Sequence, residues 1–486
     1  MTTAGIDEKK LLINGEWRAA MGGKTADVIN PATEEIVARV AFAHASDVDA
    51  AVAAARAALD GPWGQMSARE RGRLIWKLGE RLMERADEIA RLETLHNGKP
   101  ISESRQIEIP ASAECFQYYA GWADKIQGAT IPVRGNHLTY TLREPVGVVA
   151  AIVPWNFPLL LASWKVAPAL ACGNTVVLKP ASQTPLTALA LGEIAQEVGL
   201  PPGVLNVITG PGSSVGQAIV EHPGIDKIAF TGDTTTGRGI MRGSAETLKH
   251  LTLELGGKSP NIVLADADLE AAVRGATVGI FYGKGEVCAA GSRLLVDRSI
   301  KDRFMEQLVA RTKKMQPGDP MDPKTRLGAI ASKSQLERVL GYVETGQREG
   351  AVLVAGGRRA DIGTGKGYFM EPTVFDRVTP GMTIAREEIF GPVLAAIEFA
   401  DLDEAIARAN DTIYGLAAAV WTRDIKKAHH VARKLKAGTV WINTYNVYDT
   451  AAPFGGYKQS GFGREMSAYA LEHYTQVKSV WVDLNM

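Results

Sequence analysis

One of the three cysteines in this chain, Cys288, stands in the small-residue run Gly285-Glu286-Val287-Cys288-Ala289-Ala290-Gly291-Ser292-Arg293. Upstream, a carboxylate precedes a glycine pair in Leu253-Glu254-Leu255-Gly256-Gly257-Lys258. A thiol attacks only as its thiolate, and a free pKa of about 8.5 leaves it needing help at neutral pH. A glutamate placed nearby can act as general base, for that thiol or for a water. A lone cysteine is more often an inert buried residue, so the case depends on what surrounds it. The eight histidines show no metal-ligand spacing, and no metal is expected. His429-His430 lies in a charged, helix-like stretch that reads as surface.

The elements that must position these groups follow from periodicity. Residues 45–60 and 67–96 read as amphipathic helices, the second stopping at Asn97-Gly98 before Pro100. From 147 the pattern changes to short β-branched runs at 147–153, 175–178, 204–208, 227–230 and 251–255. Helix-like segments near 159–170, 185–198, 214–221 and 235–247 alternate with them. Such alternation predicts parallel strands with helical crossovers, an α/β doubly wound domain. A second alternation covers strands at 261–264 and 293–296 with helices near 268–281 and 300–314, and a further strand–helix passage over 393–437 ends at 439–442. It predicts a second domain that presents Cys288 across a cleft.

Open parallel sheets bind ligands at the carboxyl ends of their strands, and those ends carry chemistry here. Pro154-Trp155-Asn156-Phe157-Pro158 follows the first strand, Lys179-Pro180 the second, and Gly232-Asp233-Thr234-Thr235-Thr236-Gly237 the fourth. The last opens a helix, where backbone N–H groups and the helix dipole favour a pyrophosphate, although it is not a G-x-G-x-x-G fingerprint. Lys179 reads either as a solvated charge or as a donor to ribose hydroxyls. Asn156 reads as a turn brace or as a donor to an oxyanion. Glu388 and Phe390, in Glu387-Glu388-Ile389-Phe390-Gly391-Pro392, read as a loop carboxylate and a packing ring, or as the flat edge of an aromatic ligand site. The glycine-rich loop 453–461 is too rigid in composition for a linker and can wall a pocket.

Bulk composition narrows the partners. Lys plus Arg and Asp plus Glu are both 54, so no basic excess attracts nucleic acid or an anionic membrane. Apolar residues are 46% and charged residues 22%, ordinary for a chain with a substantial core. Three irregularly spaced cysteines provide no disulfide framework and fit a reducing compartment. The opening residues, with Asp7, Glu8, Lys9, Lys10 and Glu16, hold no apolar signal-peptide core, and no apolar run of about 18 residues is present. The expected location is the cytoplasm.

Together, Pro154–Pro158, Lys179-Pro180, Phe230–Gly237, Glu254–Gly257, Cys288 with Gly291-Ser292-Arg293, Glu388–Val393 and Phe454–Gly461 strongly resemble the aldehyde dehydrogenase superfamily. The similarity is to its hydrolytic, NAD(P)-dependent branch, with betaine, retinal and general aldehyde dehydrogenases, and runs from about Asn14 to Tyr474. It implies two Rossmann-like doubly wound domains, for cofactor (1–126 and 147–256) and catalysis (257–459). A β hairpin at 127–146 and the segment 460–486 would serve oligomerisation, as a homodimer or homotetramer. By position Cys288 resembles the nucleophile that forms a thiohemiacetal and then a thioester, with the oxyanion held by Asn156 and the Cys288 N–H. Glu254 resembles the base that activates the hydrolytic water, and Lys165 with Glu465 a supporting pair or proton relay. The implied cofactor contacts are Lys179 and Ser182 at the adenosine ribose, Gly232 and its loop with Asp233 at the phosphates, and Gly212 and Thr231 elsewhere in the cofactor site. Pro154, Trp155, Phe230, Leu255, Gly256, Glu388 and Phe390 complete the cofactor set. A substrate tunnel would be lined by Phe157, Leu161, Trp164, Tyr282, Val287, Tyr448 and Phe454, aromatic and without Lys or Arg, which suits an apolar or aromatic aldehyde. Tyr282 and Tyr448 stand where Phe is frequent, so polar or phenolic aldehydes also fit.

The chain departs from the family pattern in three places. Ser182 stands where many NAD-preferring members carry a glutamate that repels a 2′-phosphate, which implies that NADP is accepted alongside NAD. Asp233 replaces a serine in the phosphate loop and is expected to turn away or to cap a backbone N–H. Gly283, Lys284 and Glu286 replace Asn, Gln and Gln. Lys284 and Glu286 read either as an exposed pair or, for Lys284, as a charge that favours the thiolate. Among rival readings, a CoA-acylating relative would generally lack Glu254. A non-catalytic protein of the same fold has no need of Cys288, Asn156 and Glu254 together, and a cysteine hydrolase lacks an identifiable histidine partner.

Overall fold

The computed structural model describes residues 8–486. The apolar β-branched runs form strands buried on both faces, and five of them, Val148–Ile152, Thr175–Lys179, Leu205–Val207, Lys227–Thr231 and His250–Glu254, pair in parallel. Near-continuous apolar sequence is what a sheet covered by helices on both sides requires. Antiparallel edges extend this sheet to eight strands, with Leu11–Ile13 and Glu16–Arg18 at one end and Gly461–Phe462 at the other.

The second sheet has seven strands in the order Val352–Ala355, Thr373–Asp376, Val393–Phe399, Arg293–Asp297, Pro260–Val263, Ala417–Trp421 and Thr439–Ile442. All neighbours in it are parallel except the first pair. The expected α/β class with two doubly wound units is therefore what the chain adopts. A three-stranded antiparallel sheet stands apart, in which Thr475–Asp483 pairs along its full length with His137–Pro145, flanked by Thr130–Ile131. Among the described residues no helix is long and apolar enough to cross a membrane.

Two elements differ from the periodicity. The single helix expected over 67–96 is two, Ala68–Glu84 and Ala86–Asn97, broken at Arg85. The break is set by tertiary contacts: the Arg85 guanidinium reaches Glu193 and Glu197, 3.0 Å away at the end of the helix Leu186–Glu197, as well as Glu88. The passage between 315 and 392, where the sequence pattern yields no element, supplies the helix Lys333–Arg348 and the edge strands Val352–Ala355 and Thr373–Asp376.

Candidate active site

The cleft between the sheets begins at the strand ends. After Val148–Ile152 the chain turns through Pro154, Trp155 and Asn156, and Pro158 opens the helix Pro158–Ala171, where its missing N–H is harmless. Lys179 ends its strand 3% exposed, its Nζ donating to the Pro180 carbonyl at 3.1 Å, and burial pushes its amine down to about 8. Ser182 donates to the Gly210 carbonyl at 3.0 Å. Asp233 caps the helix Thr234–Gly243, accepting the Thr236 N–H at 2.9 Å. That is the capping role expected for it. The Gly232 N–H donates to the Glu254 carbonyl at 3.1 Å, so this amide extends the sheet and is spent for a phosphate. Any backbone donors there must come from the helix start itself.

Glycine at 256 and 257 allows the two domains to touch. A Cβ on Gly256 would lie 2.3 Å from Glu388 Oε2, and one on Gly257 2.3 Å from the Cys288 carbonyl oxygen. The Gly257 N–H donates to Glu388 Oε1 at 2.9 Å. Burial raises the Glu388 carboxyl to about 7, with the Gly257 hydrogen bond opposing. Phe390, at φ 60, meets Trp155 edge to face with centroids 5.2 Å apart.

Cys288 follows the helix Leu269–Phe281 and a tight turn with positive φ at Gly283, Lys284 and Gly285. The loop is pinned by the Tyr445 hydroxyl, which donates to the Ala289 carbonyl at 2.8 Å. Burial lifts the thiol to about 12, the charges of Glu388 and Glu254 add to this, and hydrogen bonds from the Ala289 and Cys288 N–H groups oppose it. Asn156 is 5% exposed, its Nδ2 donates to the Glu286 carbonyl at 2.9 Å, and its Oδ1 is buried without a partner. Both carboxylate oxygens of Glu254 are likewise buried and unpartnered. Burial first, then the Glu465 charge, raises the Glu254 carboxyl well above the ordinary range, while Lys165 and Arg464 pull the other way. Lys165 is tied to Glu465 and donates to Thr231 Oγ1 at 2.6 Å.

Two cavities meet at this thiol. The larger, about 810 Å³, is lined by all thirteen residues assigned to the cofactor, together with Asn156 and Cys288. Sequence reasoning missed Gln335 and Arg338, which line it from the helix Lys333–Arg348 of the other domain. Gln335 donates to the Phe390 carbonyl at 2.6 Å. No local motif marks them, since only the tertiary fold brings that helix to the cleft. The smaller cavity, about 300 Å³, is lined by Cys288 and all seven tunnel residues, Phe157, Leu161, Trp164, Tyr282, Val287, Tyr448 and Phe454. Phe157 stacks on Tyr282 at 6.1 Å, and Phe454 contacts both Trp164 and Tyr448 at 5.6 and 5.7 Å. Its lining holds no Lys or Arg but adds the exposed carboxylates Glu114 and Asp449. Glu254, Lys165 and Glu465 line neither cavity and sit behind the wall.

One reading of the Cys288 turn is overturned. Lys284 and Glu286 are not an exposed pair: both are 1% exposed and lie 2.8 Å apart. Both domains enclose them, because Lys284 Nζ reaches back to Asn97 of the first.

Comparison with known proteins places the chain. The aldehyde dehydrogenase family model matches residues 17–480. The chain is 49% identical over 476 residues to the mitochondrial aldehyde dehydrogenase of Homo sapiens, covering 97% of this chain and 92% of that one. It superposes with a TM-score of 0.97 on an aldehyde dehydrogenase from Bacillus cereus in complex with NAD+, at 54% identity, covering 99% and 97% of the two chains. A variant of the indole-3-acetaldehyde dehydrogenase AldA of P. syringae, solved with NAD+ and IAA, matches at 47% identity and a TM-score of 0.97, covering 99% and 98%.

Proposed function

The chain belongs to the aldehyde dehydrogenase family, enzymes that oxidise aldehydes with NAD or NADP, and from that premise we propose how its own residues do so. The substrate is an apolar or aromatic aldehyde and the product the free carboxylic acid. The observation that carries this reading is that Cys288 is the one residue common to the linings of both cavities. The larger cavity is edged with polar groups; the smaller is ringed by aromatics.

The larger cavity fits a dinucleotide. The buried Lys179 amine has a single main-chain acceptor, the Glu388 carboxylate keeps one oxygen free of the Gly257 bond, and Gly212 and Gly239 leave open space where side chains would project. Lys179 and Ser182 would hold the adenosine ribose, the start of the helix Thr234–Gly243 the phosphates, and Glu388 with Phe390 the nicotinamide end. Ser182 brings no negative charge to that ribose, which supports acceptance of NADP alongside NAD. When bound, the nicotinamide takes up the hydride whose loss converts the Cys288 adduct into a thioester.

The chain supplies the rest. The Cys288 thiolate attacks the aldehyde carbon, a C–S bond forms, and the carbonyl electron pair moves onto oxygen. One Asn156 Nδ2 hydrogen is committed to the Glu286 carbonyl. Its second hydrogen and the Cys288 N–H hold the oxyanion of the thiohemiacetal, donors worth roughly 2.7–4 kcal/mol each in such sites. For release, Glu254 takes a proton from a water whose oxygen attacks the thioester carbon. The C–S bond then breaks and the acid leaves. Lys165 and Glu465 fix the surroundings of Glu254 from behind.

Residues 1–126 and 147–256 act as the cofactor domain and 257–459 as the catalytic domain. The arm at 127–146 with 460–486 joins subunits into a dimer or tetramer, supported by Leu138, Leu142, Val477 and Trp481, which the three-stranded sheet leaves exposed. The deciding experiment is a panel of aldehydes assayed for cofactor reduction with NAD and NADP separately, with Cys288→Ser as control and the product identified without CoA. Free acid formed by wild type alone supports the reading; dehydrogenase activity retained in Cys288→Ser, or an absolute need for CoA, overturns it.

A further inference from the structure

Lys284 and Glu286 are ionisable residues inside the protein, at positions where the chemistry already described asks nothing of them. Their surroundings form a closed circuit. The Lys284 ammonium has three oxygens at 2.8 Å: Glu286 Oε2, the Asn97 carbonyl and Asn97 Oδ1. The other carboxylate oxygen of Glu286 accepts the Ala331 N–H at 3.0 Å. Asn97 passes the constraint on, its Nδ2 donating to the Trp155 carbonyl at 2.7 Å and to the Asn156 carbonyl at 3.4 Å. Lys99 Nζ also donates to the Asn156 carbonyl, at 2.8 Å. The circuit closes where Asn156 Nδ2 donates to the Glu286 main-chain carbonyl at 2.9 Å.

A carboxamide is planar, so fixing one Nδ2 hydrogen fixes the direction of the other. The carbonyl that fixes it belongs to a residue whose carboxylate is hydrogen-bonded at one oxygen and ion-paired to Lys284 at the other. Lys284 adopts φ 62, a conformation uncommon for a long side chain and kept only where the surroundings over-determine it. We propose that the buried Lys284–Glu286 pair, through Asn97, is a positioning device that holds the Asn156 amide at the angle needed to receive the oxyanion. It rests on the reading of Asn156 as oxyanion donor. It makes Lys284 and Glu286 positioning residues that touch neither substrate nor cofactor.

Lys284→Met removes the ammonium, leaving Glu286 Oε2 and both Asn97 oxygens without it. The pre-steady-state burst of reduced cofactor reports the step that needs the oxyanion donor. Alkylation of Cys288 by iodoacetamide forms no oxyanion and reports only the thiol. The expected result is a burst slowed by at least about tenfold, part of the ~10²–10³-fold that follows loss of a whole donor. The KM for NAD and the alkylation rate should stay within about twofold of wild type. The double variant Lys284→Gln/Glu286→Gln, in which two neutral amides can bond each other, should recover most of the burst rate. A burst unchanged in Lys284→Met, alkylation falling in parallel with it, or a double variant no faster than Lys284→Met would each overturn the proposal. If Lys284→Met shows no cooperative melting, Glu286→Gln compared with the double variant decides in the same way. A wild-type enzyme with no burst from any aldehyde would refute the underlying function instead.

Discussion

Replacing Glu254 by glutamine separates the two halves of the proposed reaction. The substitution preserves shape, and no hydrogen bond is lost because both carboxylate oxygens are unpartnered. What disappears is the base. General-base assistance is worth about 10²–10⁴-fold, and the neighbouring carboxylate of Glu465 is already tied to Lys165 and cannot take over. A fall in kcat of ~10³-fold, about 4 kcal/mol, is therefore expected. The burst of reduced cofactor should persist at close to one equivalent per Cys288, because thioester formation does not use this base. Stopped-flow absorbance with excess aldehyde measures both phases in one trace. In wild type, turnover limited by thioester hydrolysis should rise with pH. The carboxyl is raised above its ordinary value of 4.5, so the reactive carboxylate is lost as pH falls through that elevated pKa. Glu254→Gln should abolish that limb. A variant with wild-type kcat, or one that loses burst and steady state together, refutes this division of labour.

Other outcomes follow from the same geometry. Asn156→Ala should slow the burst by roughly 10²–10³-fold with little change in KM for NAD, measured by the same stopped-flow trace. For wild type, kcat/KM with NAD should exceed that with NADP by less than about a thousandfold, ~4 kcal/mol, and Ser182→Glu should widen the ratio by selectively weakening NADP. In cofactor-free protein the thiol lies near 12, so iodoacetamide alkylation of Cys288 should climb about tenfold per pH unit through pH 9 without levelling, and a plateau below pH 8 would contradict it.

Most of the cofactor side of the cleft was legible because its residues lie within a few positions of strand ends, where parallel topology forces them into one crevice; Gly212, Glu388 and Phe390 were gathered there only by the family resemblance. Every residue assigned there from the sequence lines the larger cavity. The tunnel residues are scattered from Phe157 to Phe454, and only the family resemblance gathers them. Gln335 and Arg338 stayed hidden because their helix lies in a stretch with no recognisable motif. The environment of Lys284 and Glu286 was hidden for a different reason. Two opposite charges near a turn usually face water, and burial became evident only when Asn97 of the first domain met the Cys288 loop of the second. Arg85 gives the same lesson for local structure. The amphipathic period runs on across it, while ion pairs to Glu193 and Glu197 turn the chain.

The protonation of Cys288 and Glu254 explains how two groups that hinder each other can serve one reaction. The Glu254 charge contributes to raising the Cys288 thiol, after burial and the Glu388 charge. Coulombic coupling is mutual, so a thiolate at Cys288 equally disfavours the Glu254 carboxylate. In the proposed reaction the half-reactions need opposite states. Attack on the aldehyde uses the thiolate and is easier while Glu254 is neutral. Hydrolysis uses the carboxylate, and by then the sulfur is a thioester and carries no charge. Acylation thus leaves no thiolate whose charge would oppose ionisation of Glu254 when a water must be activated. The absence of hydrogen-bond partners at both Glu254 oxygens fits this order, because a carboxylate already satisfied by donors would be held at low pKa and be a poorer base.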